Sequence, residues 1–215
     1  GLKPSRGRMP FGPDAGDLWQ GLASDHVITR TVRDSAAMLD VTAGPDIGAP
    51  YLLPGPEMTY QEAVGTPPRK LKIAYTSDSL LKTSVDPECV KGVESAAALL
   101  RDLGHEVEKA APEINGDDFM EDFITMVCGE TAADIAEAEK TTARRATWRD
   151  FEPGTWATCL MGRQFSAADF SGAVRRLKLI GRIVGRFFEK YDIFMTPTLG
   201  RPPLALGELQ PSGIE

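Results

Sequence analysis

Residues 71–109 constrain the fold of this chain more than any other stretch. Leu71, Ile73 and Tyr75 alternate with Lys72 and Ala74, the period-two pattern of a strand. Asp86 then stands at a helix N-cap position, with Pro87 at the first helical position, where its missing N–H costs nothing. Val90, Val93, Ala97 and Leu100 share one face of that helix. Gly104 ends it, and His105–Lys109 reads as a second strand. Strand, helix, strand in this order is a βαβ unit, with parallel strands joined by a right-handed crossover. The fold class is therefore α/β.

The flanks are punctuated by many of the chain's 21 glycines and 16 prolines. Residues 1–24 read as an irregular, extended segment, because Pro4, Pro10 and Pro13 remove backbone donors. A helix is expected over 31–43, capped by Thr31 with Asp34 in its first turn and stopped by Gly44-Pro45. A proline-rich connector runs from Pro45 to Pro68. A helix over 117–140 carries Phe119, Phe123 and Val127 on its inner side, with Met126 beside them. Pro153-Gly154 interrupts Arg144–Gly162, which is left without an assignment. A helix over 167–190 follows Ser166, with Phe170, Val174, Leu177, Gly181, Val184 and Phe188 as its buried stripe. It leads into a short buried strand, Tyr191–Met195, then Thr196-Pro197-Thr198 and a proline-rich tail. The chain thus divides into 1–68, the βαβ unit of 69–110, and a helical region with a late strand over 111–215.

With 215 residues, 24 basic against 31 acidic and a formal charge of −7, the chain is a poor match for nucleic acid or an anionic membrane as main partner. An apolar fraction of 42% and a charged fraction of 26% are those of an ordinary soluble globular protein. Cys89, Cys128 and Cys159 are widely spaced with no C-x-x-C, which suits reduced thiols in the cytoplasm and no zinc site. The chain opens Gly-Leu-Lys-Pro without a methionine, so it reads as the middle of a larger protein.

The common catalytic signatures are absent: no G-x-S-x-G, no phosphate-binding loop, no G-x-G-x-x-G and no H-E-x-x-H. Cys128 with His26 or His105 is an arithmetically possible nucleophile pair, but both histidines sit where a structural role suffices. Asp117, Asp118, Glu121 and Asp122 form either paired carboxylates or a favourable acidic first turn, and the second reading is preferred. Arg175, Lys178, Arg182 and Arg186 form a basic stripe, read as a solvated face. Met126 and Cys128 fit a soft pocket wall or plain core.

Two segments carry a more specific signal. Gly1-Leu-Lys-Pro-Ser-Arg-Gly-Arg-Met-Pro-Phe-Gly-Pro, and Gly21-Leu-Ala-Ser-Asp-His-Val-Ile-Thr-Arg-Thr-Val-Arg-Asp-Ser-Ala-Ala-Met-Leu-Asp with its continuation Ala43–Tyr51, resemble the amidase signature family. Tyr191-Asp-Ile-Phe-Met-Thr-Pro-Thr is similar to the family's late Y-D-x-x-x-T-P-T strand and loop. Within the family the chain looks most like the branch that includes 6-aminohexanoate cyclic-dimer hydrolase.

The resemblance implies the C-terminal part of a single amidase signature domain, a mixed β-sheet covered by helices that contains the βαβ unit. It also implies a Ser–Ser–Lys mechanism. A lysine activates the nucleophilic serine through a second serine, the serine attacks an amide carbonyl, backbone N–H groups stabilise the oxyanion, and water releases the acyl group. In the family's order these residues precede the stretch with which this chain begins. No Gly-Gly-Ser-Ser-Gly run occurs here, and Ser5 and Lys3 lie in the segment after the nucleophile. No catalytic residue is therefore carried over, and no metal or cofactor is implied. The pocket-wall candidates are Met126, Cys128, Glu130, Trp156, Thr196 and Thr198. The expected partners are a small-molecule amide and the N-terminal portion of the domain, with self-association of the isolated residues through open strand edges and apolar faces. The competing expectation is a non-catalytic ligand- or partner-binding module derived from an amidase.

Overall fold

The computed structural model describes residues 1–209. In chain order its elements are α1 (Val32–Thr42), α2 (Tyr60–Gly65), β1 (Lys72–Tyr75), α3 (Pro87–Asp102), β2 (Glu106–Lys109), α4 (Gly116–Thr142), α5 (Pro153–Gly162), α6 (Ala167–Phe187) and β3 (Ile193–Met195). They form two compact units. One comprises Gly1–Pro68 and Met126–Gln164, the other Arg69–Thr125 and the chain from Phe165 onward. No helix among the described residues is long and apolar enough to cross a membrane.

The second unit holds a sheet of order β2-β1-β3. Both neighbours of β1 run parallel to it, with Ile73 opposite Val107 on one side and Ile193 on the other. The three described strands are all parallel. Parallel strands with a helical crossover are an α/β arrangement, and α3 packs against β2 as the βαβ reading requires. The central strand takes the deepest burial: Ile73 and Ala74 are fully enclosed, and Val93, Ala97, Ala173 and Val174 are buried on α3 and α6.

Local chemistry fixes the register. The Asp192 carboxylate receives the Lys72 N–H at 2.8 Å and is gripped by the Arg69 guanidinium. The Leu71 N–H donates to His105 Nδ1 at 3.2 Å. Asp192 N–H in turn donates to the Lys72 carbonyl at 2.8 Å. At the other end the Thr76 N–H donates to the Met195 carbonyl at 3.1 Å. Tyr191 is buried, donates its hydroxyl to Glu108, and meets the Phe187 ring in a tilted contact with centroids 4.6 Å apart.

The first unit has its core in Ala36 and Leu39 of α1, Met126, Cys128 and Ile135 of α4, and Cys159 of α5. Thr31 caps α1 by accepting the Asp34 N–H at 3.1 Å, as its sequence predicts.

Four expectations are corrected. The connector over 45–68 contains α2, closed by a capping box between Thr59 and Glu62 and by the Asp40 carboxylate, which accepts the N–H groups of Tyr60 and Gln61. Pro153 does not interrupt a helix; it is the first residue of α5, where a missing N–H is harmless. The late strand is not buried along its length, since Ile193 on the sheet edge is 41% exposed. Helix α6 stops at Phe187, and its predicted inner stripe fails near the end, where Gly181 and Phe188 are exposed.

Candidate functional site

Three of the six pocket candidates lie on one segment of α4, in the first unit. Met126 is fully buried, a burial worth about 2 kcal/mol of transfer free energy. Cys128 is buried too, and that burial pushes its thiol up. A thiol shifted this way packs as a small apolar group and is a poor nucleophile. Where α5 ends, Gly162 comes so close to α4 that a Cβ there would stand 1.9 Å from the Cys128 carbonyl oxygen. Trp156 of α5 stacks on Phe151 at 6.2 Å, and the Arg163 guanidinium lies 5.6 Å from its ring centre. The aromatic face is thus covered from within the same unit.

Glu130 is half-buried in the middle of α4. Its Oε1 accepts a 2.7 Å hydrogen bond from the Gln20 side-chain amide. Gln20 occupies an unusual place. Trp19, Gln20 and Gly21 have φ of 51°, 55° and 82°, three successive left-handed residues of which two carry a Cβ. Each such non-glycine residue costs about 1–2 kcal/mol. The turn is held by the Leu18 carbonyl, which accepts the Gly21 N–H, and by Arg6 Nε, which donates to the Gly21 carbonyl at 2.7 Å. Sequence reading missed Gln20, because the only local signal for a left-handed turn is Gly21.

The same N-terminal loops enclose a cavity of about 130 Å³, lined among others by Arg6, Phe11, Asp46 and Tyr51. Gly7, with φ +72°, has no room for a side chain, since a Cβ would lie 2.5 Å from that of Tyr51. Burial, and then a hydrogen bond to Asp17, pushes the Tyr51 hydroxyl up.

Thr196 and Thr198 belong to the second unit. They line an open groove of about 400 Å³ between α3 and the loop after β3, together with Cys89, Val93 and Met195. Both threonines are exposed.

The other sequence-derived groups have local partners. Asp122 is buried and receives Arg176 through Nε at 2.9 Å and Nη2 at 2.6 Å; Asp117 pairs with Lys82 at 3.2 Å, and Asp118 receives the Asn115 amide at 2.8 Å. Asp117 and Asp118 stand in the first turn of α4, as the preferred reading had it. Arg175, Lys178, Arg182 and Arg186 are exposed on α6. His26 Nε2 meets Ser35 Oγ at 2.7 Å, and His105 serves the β1 backbone.

The sequence model of the amidase family matches residues 1–214. The chain is 32% identical over 214 residues to the 6-aminohexanoate-cyclic-dimer hydrolases of Pseudomonas sp. (strain NK87) and Paenarthrobacter ureafaciens, covering 97% of this chain and 43% of each relative. It superposes on the structure of 6-aminohexanoate cyclic dimer hydrolase complexed with substrate with a TM-score of 0.88 at 32% identity, over 97% of this chain and 44% of that one. A bacterial aryl acylamidase of the amidase signature enzymes shares the fold, with a TM-score of 0.80 at 23% identity over 95% of this chain and 42% of that one. The chain therefore spans less than half the length of these relatives. By the family match along nearly all its residues, the chain belongs to the amidase family.

Proposed function

We propose that these residues are the C-terminal part of an enzyme that hydrolyses carbon–nitrogen amide bonds through a serine acyl-enzyme. The observation that carries this reading is 32% identity, with a TM-score of 0.88, to a hydrolase of a cyclic amide dimer. Within that enzyme these residues supply scaffold and pocket wall: Met126 and Cys128 as the soft packing behind the wall, Glu130 as a polar group, Trp156 as an aromatic backing, and Thr196 and Thr198 as hydroxyls beside the late strand. The Ser–Ser–Lys residues come from sequence outside the 215, since no Gly/Ser-rich nucleophile segment occurs among them. Alone, the chain is inactive, and it self-associates through the open edges of β2 and β3 and exposed side chains such as Ile193.

The test is amide turnover by residues 1–215 alone and after joining them, in one chain or in trans, to the N-terminal portion that carries the catalytic serines and lysine. No release of amine or ammonia alone, and release on joining, supports the reading. Turnover by the 215 residues alone, or none by the joined protein on aliphatic, aryl and cyclic amides, overturns it.

A further inference from the structure

We propose that Asn115 is a site of spontaneous modification: its side chain closes onto the Gly116 nitrogen, loses ammonia, and is reopened by water to aspartate or isoaspartate. The inference goes beyond the amide-hydrolase reading and does not depend on it.

The chain has one asparagine, Asn115, and a glycine follows it. A following residue without a Cβ obstructs this ring closure least. The fold holds the pair in place from both sides. Gly116, the first residue of α4, is buried, and a Cβ there would stand 1.9 Å from the Leu80 carbonyl oxygen, so no larger residue fits. Asn115 starts the helix: its backbone carbonyl accepts the Phe119 N–H at 3.1 Å, and its Oδ1 accepts the Asp117 N–H at 3.1 Å. Its Nδ2 donates to the Asp118 carboxylate at 2.8 Å, a bond that an ionised aspartate, having no donor, could not make. These two demands keep a labile dipeptide at this place.

The cap also poses the reaction. The hydrogen bond from the Asp117 N–H to Oδ1 closes a ring that contains the Gly116 nitrogen, which turns the side-chain carbonyl carbon toward it. The first N–H groups of a helix have no partner within it, and that of Gly116 is one of them. Once its proton passes to hydroxide, this nitrogen attacks the side-chain carbonyl carbon. A new N–C bond forms, and charge gathers on the oxygen that the Asp117 N–H already contacts. The bond to Nδ2 then breaks, and Nδ2 leaves as ammonia after taking a proton from water. Water opens the cyclic imide at either carbonyl, so ammonia is lost, water is gained and nothing is oxidised. Asp118 opposes the first step, since it grips the leaving nitrogen and sets a negative charge beside an amide that must lose a proton. The aspartate product places a carboxylate against Asp118. The isoaspartate product adds a carbon to the main chain and turns the carbonyl that holds the Phe119 N–H into a free carboxylate.

The experiment incubates the folded full-length protein at mildly alkaline pH and follows the segment carrying Asn115 by peptide mapping and mass spectrometry, beside a synthetic peptide of residues 112–120. The folded protein should exchange the Asn115 amide for a carboxyl and accumulate isoaspartate, at a rate that rises with pH. Asp118→Ala should convert about threefold faster, the effect of one exposed charge-assisted hydrogen bond. Asn115→Ser keeps a capping oxygen but cannot close the ring, so it should gain no such mass and hold its Tm while that of the wild type falls. If Asn115 stays intact in the folded protein while the peptide converts, the cap blocks the chemistry and the inference falls. If Asp118→Ala converts no faster than the wild type, the restraint assigned to Asp118 is overturned.

Discussion

The backbone of Gly162 sits directly on the Cys128 carbonyl, leaving no space for a methyl group between α5 and α4. A Cβ would lie 1.9 Å from the oxygen and 2.5 Å from the carbonyl carbon, and both obstacles are backbone. Gly162→Ala should therefore push the two helices apart. Overpacking of this kind costs about 1–3 kcal/mol. Gly154, where the Cβ site is open, is the matched control. Equal urea midpoints for Gly162→Ala and Gly154→Ala would contradict this close approach.

Asp122 and Arg176 tie α4 to α6 through a side-on carboxylate–guanidinium contact in which the acid is buried and the base is 60% exposed. Asp122→Ala removes the buried acceptor, while the arginine returns to water. The loss should thus be smaller than for a pair buried at both ends. It should still exceed that of Asp117→Ala, whose pair with Lys82 is exposed on both sides and whose removal should move Tm by no more than about 1–2 °C. Equal Tm values for the two variants would show that burial of Asp122 adds nothing.

The start of β1 should be acid-sensitive. The Arg69 guanidinium, and then the Lys72 N–H, hold the Asp192 carboxyl below the usual carboxylate range. The Tyr191 hydroxyl, and then Lys190, do the same for Glu108. A carboxyl depressed in the folded state binds its proton sooner in the unfolded one. Its stabilisation is therefore present above the ordinary pKa of about 4 and is lost as the pH falls through the folded value. Asp192→Asn should lose less stability than the wild type between about pH 5 and pH 3. An unchanged pH slope in denaturant titrations would remove Asp192 from this role.

Local signals were legible in the sequence where one residue and its immediate neighbours decide the outcome. Asp86-Pro87, Thr31 and Ser166 each stand at the N-cap the sequence implies, and the alternation of Leu71–Tyr75 gives β1. Helix α2 was hidden because its cap is completed by Asp40, from a segment 20 residues away. Helix α5 was hidden because Pro153 reads equally as a breaker or a first residue. The outward turn of the end of α6 depends on what lies beside it, which periodicity does not contain. Gln20 and its hold on Glu130, 110 residues apart, have no local signature at all. The family itself was legible in the first 51 residues and the Tyr191–Thr198 segment, and the family's sequence model matches residues 1–214.

The most direct test of the central claim, that these residues build the wall of an amidase whose nucleophile lies elsewhere, is to locate that nucleophile. The full-length protein would be treated with a fluorophosphonate, which phosphonylates activated serines, then digested and mapped by mass spectrometry. The account predicts a single labelled serine in a peptide outside residues 1–215. A label on Ser5, or on any other serine of these residues, would contradict it.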